Sequence, residues 1–149
     1  MKPLIVADLM TEKVVFGRES DSLDSLYDAM AEHSIRHIPI VDSEKNVVGI
    51  ISQRDLVSAV LFSKESLPAS QVKDYLRHTK AAEVMSRGVE TIGPDDSVRE
   101  AGLLMLENKF GCLPVVEGEH LIGVLTESDF IKHVIGVDQE SGQRLRRQL

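Results

Sequence analysis

Two short segments carry residue types suited to holding a polar ligand. Ser52-Gln53-Arg54-Asp55 and Thr126-Glu127-Ser128-Asp129 each place a hydroxyl three residues ahead of a carboxylate. Each follows an apolar run, Val47-Val48-Gly49-Ile50-Ile51 in one case and Leu121-Ile122-Gly123-Val124-Leu125 in the other. A segment of this kind opens a helix. Within the chain, the hydroxyl and carboxylate satisfy free N–H groups of the first turn, as in a capping box. Seen from solvent, a carboxylate in that place accepts both hydrogens of a vicinal diol, and the hydroxyl bonds a sugar or phosphate oxygen. The helix N-terminus favours an anion nearby. A capping box prefers Glu or Gln at its last position, whose longer chain reaches back better. Asp in both copies leans towards the sugar, and on the residues alone both readings stand.

The two segments belong to a longer duplication. Ala7-Asp8-Leu9-Met10 returns as Ala82-Glu83-Val84-Met85, Asp21-Ser22 as Asp96-Ser97, Met30 as Met105, Pro39 as Pro114 and Val41 as Val116, all at an offset of 75. One residue is then lost in a turn, and Gly49 through Leu56 matches Gly123 through Phe130 at an offset of 74. A repeat of this length is two copies of one supersecondary unit, so a site built by one copy should appear twice.

Each copy reads as β-α-β-β-α. In the first, Val14-Val15-Phe16 is a strand and Ser20-Asp21-Ser22 supplies a helix N-cap. Leu23, Leu26, Tyr27 and Met30 then fall on one helical face. The residue before Pro39 favours extended backbone, so the helix ends before Ile38. Ile38-Pro39-Ile40-Val41 and Val47 to Ile51 form a hairpin across a polar turn, and a helix from Gln53 to about Leu61 closes the copy. In the second, Val89 to Ile92 is the strand and Ser97 the cap. Val98, Ala101, Leu104 and Met105 line the helix, Leu113–Val116 and Leu121–Leu125 form the hairpin, and Glu127 to about Ile135 is the closing helix. The expected organisation is residues 6–62, a connector over 63–80 with a helix near Ser70–Leu76, residues 81–136, and a polar tail over 137–149. Halves this small share a core more readily than they fold apart, which predicts packing about a pseudo-two-fold axis in an α/β (α+β) fold.

The 149 residues are 42% hydrophobic and 28% charged, ordinary for a globular protein. No apolar run reaches the roughly 18–20 residues that span a bilayer, and the start of the chain turns acidic too soon for a signal peptide. A cytoplasmic protein is expected. The net charge of −7 opposes nonspecific binding to nucleic acid or anionic membrane. One cysteine, Cys112, excludes an internal disulfide and reads as a small buried hydrophobe. His33 and His37 are four apart but sit where a helix should be ending, with no third ligand near, so no metal site is expected. Neither a glycine-rich phosphate loop nor a nucleophile set with a family signature is present.

Met10 and Met85 near the start of each copy, the steps His37-Ile38-Pro39-Ile40-Val41 and Cys112-Leu113-Pro114-Val115-Val116, and the terminal Gly-hydrophobic-hydrophobic-Ser/Thr-x-x-Asp together resemble a CBS domain pair, the repeat named after cystathionine β-synthase. The resemblance runs from about Val6 to Ile135. It implies a regulatory, non-catalytic module that requires no cofactor and senses an adenosine-containing ligand, AMP, ADP or ATP, in clefts mixing residues of both repeats. It implies that Asp55 and Asp129 hold ribose hydroxyls beside Ser52 and Thr126, and that Val15, Thr91 and Ile92 flank the base. Arg36, His37, Arg54, Lys132 and His133 are implied for phosphates. The copies differ there, since Gly111-Cys112 and Ser128 stand where the first has Arg36-His37 and Arg54, and Gly17-Arg18-Glu19 stands where the second has a proline step.

The resemblance also implies a homodimer, through Leu56, Val57, Val60 and Leu61 with Phe130, Ile131 and Val134, and a protein target not identifiable from the chain. A purely structural dimerisation or docking role is the alternative. An enzyme with Asp55 and Asp129 as an acid–base pair is disfavoured, because repeats place the two in separate, similar settings.

Overall fold

A computed structural model describes residues 2–63 and 67–137. The expected tail falls outside the described residues, apart from Val137. The fold is mixed α and β, and by its contacts the chain divides into two compact units that cut across the sequence repeats. Of the described residues, those from 15 to 89 form a continuous unit, and 2–14 with 90–137 form a composite one.

In the continuous unit, β1 (Gly17–Arg18) runs parallel to β2 (His37–Val41), which pairs antiparallel with β3 (Val47–Ser52). The first strand is shorter and later than the expected Val14–Phe16. It has a single parallel neighbour at the sheet edge, and two residues are all that pair. Helix α2 (Leu23–His33) starts where the Ser22 hydroxyl accepts the Ser25 N–H at 3.2 Å and stops at left-handed Ser34. Leu23, Leu26 and Met30 are buried, but Tyr27 is 48% exposed. The buried stripe is narrower than the apolar pattern, and the phenol end of Tyr27 keeps its water. Helix α3 (Gln53–Leu61) follows β3 directly, and the connector helix α4 (Ala69–His78) packs against α2 and α3. A four-residue helix α5 (Ala81–Val84) completes the core of Leu26, Ile38, Ile40, Ile51, Ala81 and Met85.

The composite unit repeats this plan with α1 (Val6–Leu9), α6 (Val98–Asn108), β4 (Cys112–Glu117), β5 (His120–Thr126) and α7 (Glu127–Ile135). The strand expected over Val89–Ile92 contracts to one parallel bridge, Ile92 to Val115. Both hairpins bulge at the repeat-equivalent step, Ile40/Val41 and Val115/Val116.

The short opening helices were not foreseen, and they exchange places. Helix α1 begins the first repeat, yet its Val6 and Ala7 N–H groups bond Asp96 and Pro94 carbonyls of the second, both at 2.9 Å. Helix α5 begins the second repeat, and its Ala81 and Ala82 bond Asp21 and Glu19 of the first, at 2.8 and 3.0 Å. Val6 and Ala81 are fully buried. Burying a Val or Leu side chain contributes roughly 1.5–3 kcal/mol, so Val6 and Leu9 are a substantial part of a core this small.

A glycine in each hairpin admits the exchanged segment. A Cβ on Gly49 would stand 2.8 Å from Met85 Sδ and 2.9 Å from the Ser86 carbonyl oxygen; one on Gly123 would stand 2.9 Å from Met10 Sδ and 3.0 Å from the Thr11 carbonyl oxygen. Among the described residues, no helix is long and apolar enough to cross a membrane.

Candidate functional site

The two Ser/Thr-x-x-Asp segments both open helices, and both carboxylates cap them. In the continuous unit, the Ser52 N–H donates to Asp55 Oδ2 at 2.7 Å, and the Asp55 N–H donates to the Ser52 hydroxyl at 3.1 Å. Asp55 is half-buried. In the composite unit, the Thr126 N–H donates to Asp129 Oδ2 at 2.9 Å and the Thr126 hydroxyl to the same oxygen at 3.2 Å. A third donor reaches the other oxygen: the Thr11 hydroxyl lies 3.1 Å from Asp129 Oδ1. Asp129 is only 4% exposed, the one buried charged side chain among the described residues. A carboxylate so far from water needs donors around it, and the chain supplies them from two distant segments.

Asp129 lies at the wall of a cavity of about 340 Å³ in the composite unit. One side is the exchanged segment, with Asp8 and Met10. The other is one face of α7, where Asp129, Lys132 and His133 recur at i, i+3 and i+4, followed by the last turn at Gly136 and Val137. A buried acceptor therefore stands beside a lysine and a histidine at one opening. That arrangement suits a ligand offering hydroxyl donors at one end and negative charge at the other.

Behind the carboxylate sits Cys112, whose Cα pairs with Thr126 across the β4–β5 hairpin. Burial, with the Asp129 charge in second place, pushes its thiol up to about 12. Cys112 is thus a protonated, packed side chain, as its apolar setting in the sequence suggested. At the equivalent place in the continuous unit, His37 pairs with Ser52.

A family model of the CBS domain matches residues 6–62 and 81–136. The chain belongs to the CBS domain family. Its fold is that of CBS-pair structures. The crystal structure of a putative acetoin utilization protein from Vibrio cholerae matches with a TM-score of 0.78 and 31% identity, over 99% of this chain and 98% of that one. The CBS-pair protein CBSX2 of Arabidopsis thaliana, in a structure in complex with AMP, matches with a TM-score of 0.75 and 22% identity, over 89% of this chain and 97% of that one. Some relatives are longer proteins. The chain is 34% identical over 132 residues to a homoserine O-acetyltransferase of Methanococcoides burtonii, covering 88% of this chain and 24% of that enzyme.

In this CBS pair the site residues expected from the sequence divide between the units. Thr126, Asp129, Lys132 and His133 come together in the composite unit, the last three on the cavity. Thr91 is half-buried there, and Ile92 is a core side chain. Ser52 and Asp55 are joined in the continuous unit, where Arg54 is exposed beside them. The exposed Arg36 gives its carbonyl to the Gln53 N–H at 2.8 Å, so it flanks the same helix start. Val15 packs against that unit's core. Of the apolar residues expected to pair copies, Val57, Leu61, Ile131 and Val134 are 53%, 70%, 60% and 82% exposed, whereas Leu56 is buried and Phe130 packs against core.

Sequence reasoning missed Asp8, Met10 and above all Thr11. A signal existed. Thr11 and Ser86 are the hydroxyl residues directly after the repeated methionines Met10 and Met85, at the same offset of 75.

Proposed function

We propose that the chain is a cytoplasmic regulatory module, not an enzyme, that binds an adenosine-containing ligand of the AMP, ADP or ATP class in the composite-unit cavity. Asp129 accepts the ribose hydroxyls, Thr126 and Thr11 hold its carboxylate in place, and Lys132 and His133 face the phosphate. The observation that carries this reading is a buried carboxylate, held by three donors, opening onto a cavity with two basic residues on the same helical face. AMP in a CBS-pair structure of the same fold supports the ligand class. Asp55, with Ser52, Arg54, Arg36 and His37 around it, offers a second, more open site of the same chemistry. Val15, Thr91 and Ile92 remain base-flanking positions, with Ile92 confined to its backbone because its side chain is in the core. Ligand acts by favouring one conformation over another, to the extent of its differential affinity for the two.

The exposed apolar positions of α3 and α7 support a homodimer as the working state, and a dimerising or docking module without nucleotide is the second reading. A thermal-shift panel of ligand-free protein with AMP, ADP, ATP, NAD and S-adenosylmethionine separates the two. Ligand at about 100 times its dissociation constant adds roughly 2.7 kcal/mol of stability. We expect such a shift with at least one adenosine nucleotide and its loss in Asp129→Ala. No shift with any of them would overturn the sensor reading in favour of the second.

A further inference from the structure

The composite cavity has an acidic wall and a basic wall, and the two have different origins. The basic residues of α7 belong to this copy alone: at the offset of 74 that maps Asp55 onto Asp129, Lys132 and His133 stand where the first copy has Ser58 and Ala59. The acid on the exchanged helix is common to both copies, Asp8 here and Glu83 there, at an offset of 75. The composite unit has thus set cations across a cavity from an acid that the fold carries twice.

Asp8 is exposed but fixed in place. Its Oδ2 accepts the Ile5 N–H at 2.9 Å, and the Val6 and Ala7 N–H groups anchor the same turn to Asp96 and Pro94. Glu83 repeats the cap, accepting the Lys80 N–H at 2.7 Å. A carboxylate tied to its own helix start does not swing across to a cation. Among the described residues, no ion pair joins Asp8 to Lys132 or His133. The cap explains an acceptor at this position, which Asn would supply as well. The negative charge is left to act on whatever enters the cavity.

The charges lining the cavity also limit what it can hold. Asp8 and Asp129 are acids, Lys132 is a cation, and His133 adds at most one positive charge more. Their sum never rises above zero. A monophosphate, with about 1.5 to 2 negative charges near pH 7, is met by Lys132 and His133. Each further phosphate adds negative charge with no further lining cation to meet it, and a chain growing across the cavity approaches Asp8. Volume works in the same direction, since about 340 Å³ lies at the lower end of the roughly 300–1,000 Å³ of ligand pockets.

We propose that Asp8 is a specificity-determining residue that sets the phosphate count at the composite site: a nucleoside monophosphate is admitted, and a triphosphate is disfavoured by repulsion from Asp8. This rests on the reading of the cavity as a nucleotide site.

Calorimetric titrations of the full chain with AMP, ADP and ATP test it, free of divalent metal and in an Asp55→Ala background that removes the second site. We expect AMP to bind about tenfold more tightly than ATP, with ADP between them. Asp8→Asn keeps an acceptor for the Ile5 N–H and drops the charge. It should narrow the gap between AMP and ATP about fivefold, the scale of two unit charges about 4 Å apart in water. Reading a ratio cancels any loss of stability that both ligands feel. ATP binding as tightly as AMP, or a gap that Asp8→Asn leaves alone, would overturn the proposal while the nucleotide site stands. No binding of any of the three, or binding that survives Asp129→Ala, would defeat the nucleotide reading and this proposal together.

Discussion

Asp129 and Asp55 occupy the same place in the same motif and live in different surroundings. Asp55 is half-buried and its carboxylate caps α3 through the Ser52 N–H. Asp129 does the same for α7 and is in addition buried at the cavity wall, gripped by two threonine hydroxyls and backed by the thiol of Cys112. A motif therefore fixes what a residue does to its own helix, while segments far away in the sequence decide what else it does. The composite unit turned a cap into a buried acceptor by bringing in Thr11; Ser86, its repeat partner, is exposed.

The sharpest test of that difference is truncation. Asp129→Ala removes a cap and leaves the Thr11 and Thr126 hydroxyls without their shared acceptor, so it should lower stability by about 3 kcal/mol in urea denaturation. Asp55→Ala removes mainly a cap and should lower it by about 1 kcal/mol. Equal losses would dissolve the distinction between the two sites.

The thiol behind Asp129 supplies the next test. Its proton is held in the folded state up to about pH 12 and released from the unfolded chain near 9.0. The unfolded state therefore binds fewer protons at this thiol between those values, so the thiol's contribution to stability should be constant below pH 9 and fall above it, by up to about 1.4 kcal/mol per pH unit. Cys112→Ala should flatten that part of the pH curve, and a slope unchanged in the variant would place its origin elsewhere. Thiol reagents at pH 8 should label the chain only as fast as it opens.

The smallest effect concerns the hydroxyl that sets the units apart. Thr11→Val removes one hydrogen bond to a buried charge at near-constant shape. It should weaken ligand at the composite site by about 1 kcal/mol, roughly fivefold, in calorimetry. Ser86→Ala should leave binding unchanged. A matching loss from Ser86→Ala would show that both carboxylates depend on their neighbouring hydroxyls alike.

Much of this was legible in the sequence because it is local. Ser52-x-x-Asp55 and Thr126-x-x-Asp129 determine their own helix starts, and α3 and α7 fall where the apolar runs end. Ser22 and Ser97 likewise announce α2 and α6. What could not be read is non-local. Four residues such as Val6–Leu9 hold too little periodicity to declare a helix, and nothing in them names Pro94 and Asp96 as partners. The first strands contracted for a related reason, since Gly17–Arg18 and Ile92 pair only where a single neighbour reaches them. Thr11 lay between these cases, visible in the repeat but idle until the exchange brought it to Asp129.

The exchange of α1 and α5 also sets an order of events as the chain is made. The continuous unit is drawn from one uninterrupted stretch, so its last piece, α5, follows soon after the rest. The composite unit is not: α1 is synthesised first and must wait, its Val6 and Leu9 uncovered, until α6 and the β4–β5 hairpin have emerged to receive it. Such a long-range closure is the slow kind, and the waiting segment is the part of a nascent chain most open to capture by a neighbouring copy. The half that carries the buried acceptor is thus the half whose closure needs both an early and a late stretch of the chain.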